Sequence, residues 1–170
     1  IARRVLAAAI GLPILLSLVH FAGVHWVGAS AAMATDGADF DFGAFDALTF
    51  DCYGTLIDWE TGLLTGLRAV LDPHGVQIGD DELLELYAGF EAETEAGPYL
   101  PYREVLGVGL RGVCDQLGID PTETQVAAFG GSVADWPAFT DSAAALARLE
   151  TRFRLGVITN CDDDLFAASN

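Results

Sequence analysis

The sequence predicts an α/β domain in which a parallel sheet is interrupted by a block of helices. Three observations lead there. Two short apolar, β-branched runs, residues 47–50 (ALTF) and 153–159 (FRLGVIT), have strand length and strand composition. Each ends in a polar cluster, Asp51 in one case and Asn160 in the other. Between them the apolar residues recur at helical spacing, and a helical crossover is what joins parallel strands.

The elements follow in order. ALTF is a buried strand running into Asp51, then a Gly54-Thr55 turn. A helix covers 59–71 and is stopped by Pro73 and Gly75. A second spans about 81–96, with Leu83, Leu86, Tyr87 and Phe90 on one face, before Gly97-Pro98 breaks it. A third covers 102–117, with Leu106, Leu110, Val113 and Leu117 as its stripe. Asp120-Pro121-Thr122-Glu123 supplies a cap, a first-turn proline and a capping-box acid for a fourth. GGSVADWP (130–137) is a loop, and Thr140 or Asp141 caps a fifth helix to Thr151. After the second strand, CDDDLF opens a further helix, its acids suited to the positive end of the dipole.

Composition narrows the function. The chain has 170 residues, enough for one domain with a sizeable core. Its 8 basic residues are all arginines, against 25 acids, for a net charge of −17. Phosphate binding needs a basic patch, so nucleic acid and anionic membrane surfaces are excluded as partners. Cys52, Cys114 and Cys161 lack metal-type spacing and read as free thiols in a reducing cytosol, packed as small hydrophobes.

The first 32 residues stand apart. IARR is followed by an uncharged stretch from Val5 to Thr35, long enough for a membrane span though interrupted by Pro13, His20 and His25. Two readings exist. One is a secretory signal or anchor, which would export the domain or fix it to a membrane. The favoured one is translated upstream sequence, because the single Met is Met33 and MATDGADFDF has the character of a cytoplasmic N-terminus. On that reading residues 1–32 are dispensable and the protein is cytoplasmic.

FDCYGTLID resembles the first motif of the haloacid dehalogenase superfamily, and VITN resembles the second. The resemblance covers 46–170 and implies a Rossmann-like parallel core from 46–58 and 141–170, incomplete here, with 59–140 as an inserted helical cap. It makes Asp51 the nucleophile. Phosphatases of the superfamily carry a second aspartate two residues on, which protonates the leaving alkoxide; this sequence has Tyr53. A halide leaves without a proton, so DxYGT is similar to the 2-haloacid dehalogenase pattern. That implies attack of Asp51 on C2 of a short 2-halo acid and hydrolysis of the aspartyl ester. Thr55 would support the Asp51 loop, Gly54 would make the turn, Tyr53 would wall the pocket, and Thr159 with Asn160 would hold the substrate carboxylate. Asp58 and Glu60 read as surface or capping residues, and Asp162, Asp163 and Asp164 as a helix start, with a metal cluster as the other reading. No cofactor is implied. The alternatives are a Mg²⁺-dependent phosphatase, with Asp51 and the Tyr53 carbonyl on the metal, and a non-catalytic binding domain. The partner implied is a small-molecule substrate, and a homodimer is compatible with it.

Two departures go with this. Dehalogenases of this type place a halide-receiving arginine on an early cap helix, whereas residues 82–96 contain none. Arg103 is the nearest substitute and reads more naturally as a solvated helix residue. The superfamily's later lysine and final acidic motif are also absent from the 170 residues, so the expectation is a truncated, inactive and marginally folded chain.

Overall fold

The computed structural model describes Val5–Ala8, Val27–Gly28 and residues 42–169. These fall into two compact units. The first comprises residues up to 58 with 138–159, and the second 59–137 with 160–170.

The first unit is built on a parallel sheet. Its described strands are β1 (Val5–Ala8), β2 (Val27–Gly28), β3 (Ala47–Phe50) and β4 (Arg154–Val157), in the order β2-β1-β3-β4. β3 pairs with β4 from Ala47↔Arg154 to Phe50↔Val157, and with β1 from Val5↔Ala47 to Ala8↔Phe50. Two further backbone bonds extend the β3–β4 ladder. Arg154 N–H donates to Asp46 O at 3.1 Å, and Ile158 N–H to Phe50 O at 2.9 Å. Leu48 and Phe153 are the buried centre of this unit, with Phe45, Phe50, Leu149 and Leu155 against them. Helix α5 (Ser142–Glu150) and a 3₁₀ turn at Phe42–Ala44 belong to the same unit.

Here the sheet departs from expectation. The sequence shows two clear strands, yet β3 is paired on both sides, and the extra strands come from the stretch read as an extraneous leader. The physical reason is that VLAA inside a long uncharged run has no alternation and no charge to mark it off. Periodicity alone cannot separate a four-residue buried strand from a span or a signal. The rest of residues 1–32, with Pro13, His20 and His25, and Met33 lie outside the described residues. No described helix is long and apolar enough to cross a membrane.

The second unit is helical. It contains α1 (Trp59–Leu71), α2 (Asp80–Glu95), α3 (Tyr102–Gln116), α4 (Glu123–Gly130) and α6 (Asp163–Ser169), with a 3₁₀ turn at Ser132–Asp135 in the stretch expected to be a loop. Of the predicted stripes, Leu83 and Tyr87 on α2 and Leu106, Leu110 and Val113 on α3 are sealed from solvent, while Leu86, Phe90 and Leu117 are half-buried; Leu63, Leu67 and Leu71 on α1 are sealed as well. The α2–α3 contact depends on small residues. A Cβ on Gly109 would lie 2.6 Å from the Tyr87 ring, and one on Gly112 2.5 Å from Phe90.

Two local details correct the sequence reading. The α4 cap is Thr122, not Asp120. Its hydroxyl accepts from Gln125 N–H at 3.2 Å while the Gln125 side chain accepts from Thr122 N–H at 2.9 Å, a reciprocal box two residues further on. Residues 160–170, expected with the core, pack in the second unit instead, where Ser169 Oγ donates to Val133 O at 3.3 Å.

Candidate active site

The site begins where β3 ends. Asp51 is the first residue past the strand and is half-buried. Directly after it the chain folds into a tight turn around one carbonyl. Cys52 O accepts from the N–H groups of Thr55 (3.3 Å), Leu56 (2.7 Å) and Ile57 (3.0 Å). Gly54 returns a bond to Ile57 O at 2.8 Å with φ at 85°, a left-handed conformation that a side chain disfavours. No atom lies near its missing Cβ, so φ rather than space explains the glycine. The turn is anchored from beneath. Leu56 O accepts from Phe139 N–H (3.1 Å) and Ser142 Oγ (2.8 Å), and Ile57 bridges to Ala138.

This turn aims Thr55 back at Asp51. Thr55 Oγ1 donates to Asp51 Oδ2 at 3.1 Å, leaving Oδ1 as the other carboxylate oxygen. Tyr53, within the turn, is half-buried and bridges to Ile57. Thr159 lies two residues past β4, whose end pairs with the end of β3. Asp51, Thr55 and Thr159 therefore sit at the carboxyl ends of adjacent parallel strands, the edge at which open α/β sheets take ligands.

Asn160 is the next residue in the chain and the first of the second unit's last segment. Its Nδ2 donates to Glu95 Oε1 at 3.0 Å. Asp162 accepts from the N–H groups of Tyr102 (3.1 Å) and Arg103 (3.2 Å) at the start of α3. Arg103 pairs with Asp162 at 3.4 Å and also with Asp164, whose carboxyl it holds below the usual range. Arg103 is exposed on α3, as the solvated reading had it, and is ion-paired there as well. Arg68 (with Asp80, 2.5 Å) and Arg111 (with Glu123, 2.6 Å) are likewise paired within the helical unit. The acids after Asn160 form a helix start, as one of the two readings had it, and two of the three are engaged by α3.

Sequence reading passed over the polar cluster inside the helical unit. Glu91 Oε1 accepts from the hydroxyls of Tyr102 (3.2 Å) and Tyr87 (3.4 Å), and Trp59 hydrogen-bonds to Tyr102. Burial, with Glu95 one turn away as the second cause, pushes the Glu91 carboxyl up to about 7. Burial, then Glu91, raises both tyrosine hydroxyls. The available signal was the pair of acids at i, i+4 on a helix whose other face is apolar, an arrangement that like charges disfavour unless one is neutral. Cys52 and Cys114 are buried and Cys161 is half-buried, all three as free thiols.

No protein-family model and no curated protein matches the sequence. Solved structures do. A defluorinating L-2-haloacid dehalogenase aligns at 17% identity and TM-score 0.64, over 73% of this chain and 54% of its own. The L-2-haloacid dehalogenase of Xanthobacter autotrophicus aligns at 22% and 0.60, over 73% and 50%. A magnesium-bound putative HAD-hydrolase from Bacillus subtilis aligns at 13% and 0.58, over 73% and 57%. The chain thus spans about half the length of the structures it matches. What it shares with them is the fold, a Rossmann-like parallel core interrupted by helices.

Proposed function

We propose that the full-length protein is a hydrolase that displaces halide from a short 2-halo acid, with Asp51 as nucleophile. The observation that carries this reading is the Asp51–Thr55 pair at the end of β3, with Tyr53 where a phosphatase would have its acid. One Asp51 oxygen is held by the Thr55 hydroxyl, which fixes the carboxylate plane. The other attacks C2 of the substrate in line with the carbon–halogen bond. The bonding pair leaves with the halide, and an ester joins Asp51 to C2. Water then adds at the Asp51 carboxyl carbon, the ester C–O bond breaks, and the 2-hydroxy acid leaves with its configuration inverted. One proton is released with each halide. Thr159, and Asn160 after it, hold the substrate carboxylate through hydroxyl and amide donors. No side chain has to protonate the leaving group, which is why Tyr53 is tolerated.

The phosphatase reading requires Mg²⁺, for which Asp51 and the Tyr53 carbonyl would be protein donors beside waters and the substrate phosphate. Of the acids past Asn160, Asp162 accepts from the start of α3 and Asp164 pairs with Arg103.

The test is chloride release from L-2-chloropropionate by the full-length protein, followed by ion chromatography with and without Mg²⁺. Release independent of Mg²⁺ is expected. Mg²⁺-dependent phosphate release from an aryl phosphate, with no chloride, would replace this reading with the phosphatase, and inertness toward both would favour a binding domain.

A further inference from the structure

Helix α5 begins with a serine whose hydroxyl does not serve its own helix. A hydroxyl at a helix start ordinarily accepts from the first N–H groups. Asp141 stands at the N-cap without a side-chain cap bond, and Ser142 Oγ donates instead to Leu56 O at 2.8 Å, 86 residues away in the chain. Ser142 is buried, and among the described residues it is the one buried side chain of the Ser, Thr, amide or charged types. The grip on Leu56 O is double. Phe139 N–H donates to the same oxygen at 3.1 Å, and Ser142 N–H closes a turn onto Phe139 O at 3.1 Å. A carbonyl has two lone pairs, and the 139–142 turn engages both. On its other side Leu56 N–H makes the shortest of the three bonds to Cys52 O, 2.7 Å. Leu56 is therefore fixed through both its peptide groups. Thr55, the residue before it, carries the hydroxyl that donates to Asp51 Oδ2 at 3.1 Å. All of these residues belong to the first unit.

We infer that Ser142 is a positioning residue for the nucleophile: its hydroxyl holds Leu56 so that Thr55 stays on Asp51. The inference rests on the role given to Asp51 above. The bond ends on a turn carbonyl next to Thr55, not in the apolar centre around Leu48 and Phe153, so its first effect is on the aim of the turn. Without it Leu56 O keeps the Phe139 N–H bond, and the turn persists with a looser hold. In-line attack is sensitive to such looseness, because small displacements of a reacting group cost rate.

The experiment measures chloride release from L-2-chloropropionate by the full-length protein and its Ser142→Ala and Ser142→Cys variants. The thiol is close to the hydroxyl in shape and a weak donor, so it separates the bond from the space. In both variants kcat should fall about three- to tenfold with KM little changed, the scale of one neutral hydrogen bond. A kcat within twofold of wild type in Ser142→Cys would overturn the inference. The same substitutions are then made in a Thr55→Val background. If Ser142 acts through Thr55, each should lower kcat there less than about twofold; an equal loss in both backgrounds would make Ser142 merely structural. A further readout does not depend on turnover. Amide exchange at Leu56 and Ile57, both bonded to Cys52 O, should quicken in Ser142→Ala while Ile158, in the β3–β4 ladder, keeps its protection. Unchanged exchange at Leu56 and Ile57, or equal quickening across the unit, overturns the inference. Should the wild type release no chloride, the dehalogenase reading fails, and exchange still decides whether Ser142 holds the turn.

Discussion

Asp51 and Thr55 show how a residue's type and its backbone setting combine into chemistry. The hydroxyl reaches the carboxylate only because Cys52 O gathers three N–H groups and Gly54 accepts φ at 85°. Thr55→Val keeps the shape and removes the donor, so kcat for chloride release should fall roughly ten- to a hundredfold, the worth of one hydrogen bond to a charged group, with little change in Tm. Glu91 gives a second test at this scale. Its carboxyl titrates near 7 in the folded chain against 4.5 as a free side chain. The folded state therefore binds more protons than the unfolded state between those values, and stability falls as pH rises from about 4.5 to about 7. Urea titrations across that range should show a loss on the order of 2 kcal/mol attributable to this group, and Glu91→Gln should flatten it. Asp51 and its turn were legible in FDCYGTLID because strand, acid and glycine are local signals. The Glu91 cluster was not, because a buried acid and two tyrosines from separate helices look like solvated and core residues until the helices meet.

Three helices of the second unit, α1 to α3, were legible nearly to the residue. Each is bounded by local chemistry, such as Pro73 and Gly75 after α1 or Gly97-Pro98 after α2, and each carries an apolar stripe. What sequence could not show is where side chains replace one another across helices. Gly109 reads as a weak point in α3, yet its missing Cβ is the space that the Tyr87 ring fills. Gly109→Ala gains helix propensity and still should destabilise the unit by about 1–3 kcal/mol, as overpacking of a closed contact does. Thermal unfolding would check the sign; a rise in Tm would mean the α2–α3 contact is loose. The α4 cap lies two residues beyond the expected one for a plain reason. Asp120 and Thr122 are both good caps, and only the Gln125 side chain, reaching back to Thr122 N–H, decides between them.

For the molecule as a whole, the α/β alternation was evident from two strands bracketing helices, whereas the extent of the sheet was not. β1 pairs with all four residues of β3, the strand that presents Asp51. A chain beginning at Met33 should therefore not be equivalent to a longer one, contrary to what the uncharged leader suggests. It exposes an edge of β3, and its urea transition should come at lower concentration and with a smaller m-value; coincident transitions would show that β1 adds nothing. The central claim is that Asp51 is a covalent nucleophile, and isotope placement tests it most directly. With full-length protein in excess over L-2-chloropropionate in ¹⁸O-water, a single turnover should place the label in the peptide containing Asp51 and leave the product 2-hydroxy acid unlabelled at C2. Asp51→Asn should show neither label nor chloride. Label appearing at once in the product, with none in Asp51, would mean that water attacks the substrate itself and would contradict the account.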